Sequence, residues 1–406
     1  MTTEDAQRRS SGSTVEVTTD HGVDSAAAPQ RIKALAGAVR PGARVRPEHA
    51  RRHNRALVLQ SLYRADGLSR ADVAREVGLT RVTISDLVSD LIEENLVVEL
   101  GLRPDARPGK PATLLDINRT GFAIIGLDLS NNSVFRGVVT DLDGGVVERA
   151  EVSVRSMTGD EAVNAVFDLL ADLIKRATAP VIGIGIGSPG IVDLDGTVVS
   201  APNLGWADVP LQQLVAERFD LPTQVANDAN MAAQGERSFG GASPDMMLVR
   251  IGRGVGSGVV VGGHLVYGSS FAAGEIGHVV VGTDGGEECA CGKAGCLETW
   301  LSSPHLESVA AEGDDEARNA ALREAGERLG ISLAPVVAAL NLGEVVLAGP
   351  HNLLAGPLLE GTSETLRSRT MAELHGDLTL RMTTLGRDIV VLGAVVMVLT
   401  GQLGVS

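Results

Sequence analysis

Three cysteines fall within eight residues, Cys289-Ala-Cys291-Gly-Lys-Ala-Gly-Cys296, and the chain holds no others. An odd, clustered set is a poor disulfide framework and a good metal cluster. Three thiolates on a glycine-containing turn suit tetrahedral zinc, which needs a fourth ligand. His278, eleven residues upstream in Gly274-Glu-Ile-Gly-His, is the favoured fourth ligand, ahead of His264 and His305. A site closed by four protein ligands leaves no open position, so the zinc expected is structural and does not generate hydroxide. The plainer alternative, three buried thiols and an unrelated histidine, is disfavoured by the dense spacing. Clustered unpaired cysteines also favour a reducing cytoplasm.

The chain that must position this cluster has 406 residues, too many for one ordinary core, so two or three domains are expected. Apolar residues reach 44% but only ten residues are aromatic, so the cores must rest on Val, Leu, Ile and Ala. The 49 glycines follow no repeat and should mark tight loops. The N-terminus is polar, unlike a signal peptide, and the apolar stretches fall short of the roughly 20 residues of a membrane span. No membrane partner is expected. The net charge of −16 argues against nucleic acid until the chain is divided. Residues 1–119 carry 18 Lys and Arg against 16 Asp and Glu, and residues 120–406 carry 17 against 35. Only the front part tolerates a polyanion.

Residues 1–46 are rich in Ser, Thr, Ala, Gly and Arg without an apolar period, and read as a disordered tail. Residues 47–119 read as a DNA-binding domain. Leu57, Val58, Ser61 and Leu62 form one helical face, closed by Asp66-Gly67. Ser69 opens a second helix with Asp72 completing a capping box, and Gly78 stops it. Thr80 caps a third helix with Ile84, Leu87, Val88, Leu91 and Ile92 spaced three and four apart. Two strands, Leu96–Leu100 and Ala112–Ile117, flank a loop carrying Arg103, Arg107 and Lys110. That order is a winged helix-turn-helix. Arg81, Thr83, Ser85 and Ser89 would reach base edges in the major groove while the wing cations meet phosphates. Arg107-Pro-Gly-Lys-Pro is a short, weak signal for a minor-groove contact. Asp86, Asp90, Glu93 and Glu94 on the same helix favour the alternative, a small helical domain that docks another protein.

From Gly121 the pattern is α/β. Strands are expected at Phe122–Leu129, Ser133–Thr140, Val146–Val154, Val181–Gly187, Met246–Ile251, Gly258–Val266 and Glu344–Leu347, with helices over 160–177 and 317–340. Two units of hairpin strands followed by helices suggest two lobes, 120–235 and 236–388, with a cleft between them. Ile389–Leu399 reads as a packed core helix in 389–406, returning to the first lobe.

Four stretches together resemble one family: Pro-Asn203-Leu-Gly-Trp, Ala-Asn227-Asp228-Ala-Asn, Gly-Glu275-Ile-Gly-His278 and Cys-x-Cys-Gly-x-x-Gly-Cys-Leu-Glu298. Their order and spacing are similar to those of the ROK family (repressors, open reading frames and sugar kinases) over about residues 50–406. The resemblance implies an N-terminal winged helix-turn-helix followed by an actin-like, ribonuclease-H-like two-lobed α/β sugar kinase domain. It also implies a hexose in the cleft, hydrogen-bonded by Asn203, Asn227, Asp228, Glu275, His278 and Glu298. Buried carboxylates and amides suit that task, because they reject an isomer that leaves them unpaired. His278 would ligate zinc through one ring nitrogen and offer the other to a hydroxyl.

Asp228 matches the general base of the family's kinases. The nucleotide half departs from the family's pattern. The first phosphate loop, Asp-x-Gly-Gly-Thr in the kinases, is Asp128-Leu-Ser130-Asn131-Asn132 here. The second, Gly-Thr-Gly-x-Gly, is Gly252-Arg253-Gly254-Val-Gly256, and the adenine-side pair is Ala348-Gly349-Pro350. Phosphoryl transfer depends on positioning and charge neutralisation, so these losses point away from ATP and magnesium, with Arg253 a route to residual activity. The expected function is a sugar-responsive repressor of carbohydrate metabolism, similar to the family's xylose and N-acetylglucosamine repressors. Its expected partners are a two-fold symmetric DNA operator, a hexose or amino-sugar effector and further copies of itself in a dimer or tetramer. The alternatives are an ATP-dependent hexose kinase with a DNA-binding appendage, and a regulator that answers a protein partner through its acidic part.

Overall fold

The computed structural model describes residues 47–102, 112–281, 285–371 and 378–405. The wing cations Arg103, Arg107 and Lys110 and the tail 1–46 lie outside the described residues. The chain from Glu48 on forms one compact unit.

Its N-terminal helical region contains α1 (Pro47–Tyr63), α2 (Arg70–Val77) and α3 (Arg81–Glu93), with short strands β1 (Leu68–Ser69), β2 (Val97–Leu102) and β3 (Thr113–Ile117) in the order β1-β3-β2. The caps form as expected. Ser69 and Asp72 bond reciprocally, Gly78 ends α2 in the left-handed region, and the Thr80 hydroxyl accepts the Thr83 N–H. Strand β2 runs two residues past the expected end at Leu100, through an irregularity between Glu99 and Gly101.

The α/β part has two five-stranded sheets. The first comprises β4 (Ala123–Asp128), β5 (Val134–Thr140), β6 (Val146–Ser153), β7 (Val181–Ser188) and β11 (Thr223–Asn227), in the order β11-β7-β4-β5-β6. Helices α4 (Gly159–Arg176) and α5 (Leu211–Phe219) cover its outer face around Phe135, Leu169, Leu170 and Ile186. A small sheet of β8 (Ile191–Val192), β9 (Val198–Ala201) and β10 (Trp206–Val209) hangs beside it. The second large sheet has β12 (Met246–Ile251), β13 (Val255–Val261), β14 (His264–Leu265), β15 (Glu344–Ala348) and β16 (Thr379–Met382), in the order β14-β13-β12-β15-β16. The expected single strand over 258–266 is two strands, because Gly262 and Gly263 both take positive φ and fold the chain back. Helices α7 (Leu297–Leu301), α8 (Ser303–Ala311), α9 (Asp315–Leu340), α10 (His351–Leu354) and α11 (Pro357–Arg369) complete this half.

Between the sheets lie α6 (Asp228–Phe239) and α12 (Ile389–Leu403), α6 against β12 and β13 and α12 against β4 and β7. The segment Gly386–Leu403 is apolar enough over 18 residues to cross a membrane by length and composition alone, although Arg387 and Asp388 lie within it and its uninterrupted apolar run, Ile389–Leu399, is shorter. In the fold it is a core helix, with Val390, Ala394, Val395 and Val398 buried. Gly393 marks its close approach to α6, since a Cβ there would run into the Met231 carbonyl oxygen. Gly393→Ala should therefore cost about 1–3 kcal/mol through overpacking, read as a lower guanidinium midpoint at unchanged slope.

The core of the helical region, which includes Val73, Ile84, Leu87, Val88 and Leu91, is continuous with that of the α/β part. Val58, Leu59 and Leu62 of α1 share one apolar cluster with Ile124 of β4, Leu142, and Val395, Leu399 and Leu403 of α12. Tyr63 donates its hydroxyl to the Leu142 carbonyl at 2.8 Å, and the Arg119 guanidinium stacks 5.3 Å above the Tyr63 ring. Helix α6 begins at Asp228, and α12 continues from α6 to α1.

Candidate functional site

The cysteine turn is built locally. Cys289 donates its N–H to the Lys293 carbonyl at 2.8 Å, Gly292 returns a 2.9 Å bond to Cys289, and Gly292 and Gly295 supply the positive φ that the turn requires. Isolated bridges pair Glu288 with Ala294 and Val280 with Cys296, which brings the turn back beneath His278. The ligand atoms of His278, Cys289, Cys291 and Cys296 lie within 4.8 Å of one another. His278 Nδ1 is 3.5 Å from Cys289 Sγ, and the sulfurs of Cys291 and Cys296 are 3.6 Å apart. Tetrahedral zinc with bonds of about 2.3 Å sets its sulfurs roughly 3.7 Å apart, so this donor set fits the ion that it could hold. His264 and His305 stand outside the cluster. His264 is exposed on β14, and His305 sits edge-on to Trp300. Burial pushes the Cys296 thiol up to about 12 and raises Cys289, whereas backbone N–H donation at Lys293 lowers Cys291.

Beside the cluster a cavity of about 340 Å³ opens between the two large sheets. All six residues expected at the hexose line it: Asn203, Asn227, Asp228, Glu275, His278 and Glu298. They arrive on four local devices. Asn203 is exposed on a single 3-10 turn after β9. Asn227 caps α6, its Oδ1 accepting from the N–H groups of Ala229 and Asn230 and its Nδ2 donating to the Gly190 carbonyl at 2.8 Å. Much of that amide is thereby spent on shaping the wall. Asp228 is buried at the first turn of α6, and Asp228 Oδ1 takes the Ala229 N–H at 2.9 Å. Glu275 precedes the short turn Ile276–His278, and His278 ends it. His278 turns Nδ1 toward the thiols while its ring lines the cavity. Glu298 sits two residues past Cys296 on α7, where its Oε2 accepts the Val255 N–H at 3.0 Å. Gly254 permits that approach, since a Cβ there would lie 2.6 Å from Glu298 Oε2. The metal turn thus places two cavity groups, one on each side of it.

Burial raises the Asp228 carboxyl, Arg250 opposes that, and Asp128 adds to it. Burial also raises Glu275, and His278 pulls it back. Arg250 is the residue that sequence reasoning missed. It donates to Asp228 Oδ2 at 2.9 Å and to Ser130 Oγ at 2.6 Å. A signal existed: it is the one charge in Met246–Ile251, whose other five residues are buried.

The altered phosphate loops line the same cavity through Ser130, Asn131 and Asn132 on one side and Gly252, Arg253, Gly254 and Gly256 on the other. Side chains turn the first loop inward on itself. Asp128 accepts the Ser130 N–H and Asn131 accepts the Ser133 N–H, each at 2.9 Å. Asp128 and Gly349 are not among the lining residues.

The ROK family model matches residues 124–400. The chain belongs to the ROK family. A putative xylose repressor of Caldicellulosiruptor sp. (strain Rt8B.4) is 31% identical over 386 residues, covering 86% of this chain and 96% of its own length. A glucokinase of Halalkalibacterium halodurans is 29% identical over 306 residues, 66% of this chain and 92% of its own. The crystal structure of a ROK family transcriptional regulator, a homologue of the Escherichia coli Mlc protein, matches with a TM-score of 0.77 at 23% identity, over 88% of this chain and 98% of that one. The protein is thus a xylose-repressor-like ROK transcriptional regulator with the family's two-lobed, kinase-like α/β fold, and the glucokinase relative covers less of it.

In the ROK chain's helical region, Arg81, Ser85 and Ser89 are exposed along one side of α3, with Thr83 half-buried beside the cap. The acidic residues that weighed against DNA are partly neutralised from α1. Arg51 pairs with Asp90, and Arg55 forks onto Glu94. Val82, absent from the expected contacts, is 72% exposed between Arg81 and Thr83.

Proposed function

We propose that this ROK protein is a sugar-responsive repressor of carbohydrate-metabolism genes, in which a kinase-like, actin-like cleft serves as the sensor and a winged helix-turn-helix reads the operator. The carrying observation is one cavity lined by all six expected polar groups, whose would-be base Asp228 is already held by Arg250. Asn203, Asn227, Asp228, Glu275, His278 and Glu298 bind the hydroxyls of a hexose or amino sugar. His278, Cys289, Cys291 and Cys296 hold a structural zinc, which when bound cross-links the turn carrying His278 and Glu298. Arg81, Thr83, Ser85 and Ser89 contact base edges and Arg103, Arg107 and Lys110 contact phosphates, in a cytoplasmic homodimer or homotetramer. The shared core of α1 and α12 supports a route by which a change at α6 reaches the DNA-reading helices. An electrophoretic mobility shift on DNA flanking the gene, with and without D-xylose, D-glucose and N-acetyl-D-glucosamine, tests this reading. A retarded band that one sugar alters is expected, and the absence of any band on every neighbouring promoter would count against it.

The retained Asp228 and the glycines at 252, 254 and 256 favour an ATP-dependent hexose kinase as the second reading. A coupled assay with ATP and magnesium decides it, since turnover abolished by Asp228→Asn would place the enzyme first.

A further inference from the structure

Arg250 reaches across the cleft between elements far apart in the chain. It comes from β12 of the second sheet, Ser130 follows β4 of the first, and Asp228 opens α6 between them. One guanidinium donates to both, at 2.6 Å to Ser130 Oγ and 2.9 Å to Asp228 Oδ2. Asp228 is only 9% exposed, and its other oxygen already accepts the Ala229 N–H. Asp128 stands nearby as a second carboxylate, and Arg250 is the counter-charge. Arginine suits this place because its planar fork stays charged and holds two acceptors in fixed directions.

We propose that Arg250 is the positioning and specificity-determining residue of the cleft: by clasping Asp228 to Ser130 it fixes that carboxylate as an acceptor for one ligand hydroxyl and fills the ground beside the Ser130–Asn132 loop that a transferring phosphoryl group would need. The inference rests on the sugar-sensing reading for its ligand. A carboxylate that already holds a guanidinium is a weaker base. The contact that makes Asp228 a better holder of a hydroxyl therefore leaves it a weaker base than burial alone would make it. The same fork also ties the first sheet's loop to the second sheet.

The test compares full-length, zinc-loaded wild type with Arg250→Met, Arg250→Lys and Ser130→Ala. Thermal shift with D-xylose, D-glucose and N-acetyl-D-glucosamine is followed by isothermal titration of each sugar that stabilises the wild type. Loss of a charge-supported acceptor should weaken binding by about tenfold or more in Arg250→Met, with part recovered in Arg250→Lys and a change of a few fold at most in Ser130→Ala. Melting without sugar between pH 5 and 8 supplies a second readout. The groups facing Asp228 are Arg250 from β12, Asp128 from β4 and Glu275 from the turn before Ile276. With Arg250 replaced by Met, burial and two carboxylates raise the folded-state value of Asp228 further. Stability present at low pH is then lost as pH rises, more steeply than in wild type or Arg250→Lys. Sugar affinity within twofold of wild type together with parallel melting curves overturns the proposal. If no sugar stabilises the wild type, the sugar reading fails at that step. The melting curves then decide the clasp alone, divergence supporting it and coincidence overturning it.

Discussion

Protein prepared without chelators should carry one zinc per chain, and Cys296→Ser should lose it. Cys296 is fully buried, caps α7 and packs its sulfur 3.6 Å from that of Cys291, so no water can take its place without opening the turn. Structural zinc sites of this type are worth on the order of 10–16 kcal/mol of apparent binding near neutral pH. Losing one of the four donors removes a large share of that, so the remnant should give up the ion on dialysis against a chelator. The sign of the pH dependence follows from the thiols. Zinc binds thiolates and burial favours the protonated thiol at Cys296, so metal must displace protons, and occupancy persists at high pH and falls as the pH drops. Elemental analysis against pH checks both statements. The loss should spread to the cavity, because the turn carries His278 as ligand and Glu298 two residues past another. Sugar-dependent stabilisation should disappear in Cys296→Ser while the helical content stays. Wild type devoid of transition metal, or Cys296→Ser with a full equivalent, would sink the metal centre.

Arg381→Met should destabilise the protein by about 3–5 kcal/mol, because it strands two buried carboxylates. Glu236 of α6 is completely buried. Its Oε1 accepts from Arg381 Nη1 at 2.7 Å, and its Oε2 accepts from the Thr383 hydroxyl at 2.6 Å. Arg381 Nε also donates to Glu344 Oε1 at 2.6 Å, and Glu344 Oε2 takes the Ser243 N–H at the same distance. Removing the cation leaves negative charge in the seam that joins α6 to β15 and β16, so part of the cost should fall on the cavity at the far end of α6. Chemical denaturation of Arg381→Met against Arg381→Met/Glu236→Gln is the measurement. The double variant should recover a substantial part of the loss, since its remaining amide needs no counter-charge. A single variant within about 1 kcal/mol of wild type would show the network to be solvated.

Most of the short-range structure is legible in the residue types alone. Ser69 with Asp72, Thr80 with Thr83, and the glycines at 78 and 292 act within four residues, so their types suffice to place caps and turns. The cysteine turn is equally local, and the choice of His278 over His264 and His305 matches the geometry. The small sheet of β8, β9 and β10 was missed because its strands are two to four residues long and carry no period. The single strand expected over 258–266 ignored a paired glycine whose effect is a reversal of the chain.

Residue types and spacing by themselves determined the chemistry on offer: a thiol-rich metal turn, a set of amides and carboxylates, two phosphate loops without their usual small or hydroxyl residues, and a capped helical region at the front. Only the tertiary structure decided what those groups face. Arg250 meets Ser130 across 120 positions of chain and Arg381 meets Glu236 across 145, contacts that exist only once two sheets have closed on α6 and α12. The core shared by α1 and α12 likewise joins the two ends of the described chain. Capping and turn formation are settled by neighbours a few bonds away, whereas pairing a buried charge or completing an apolar surface depends on which distant segment the packing brings against it.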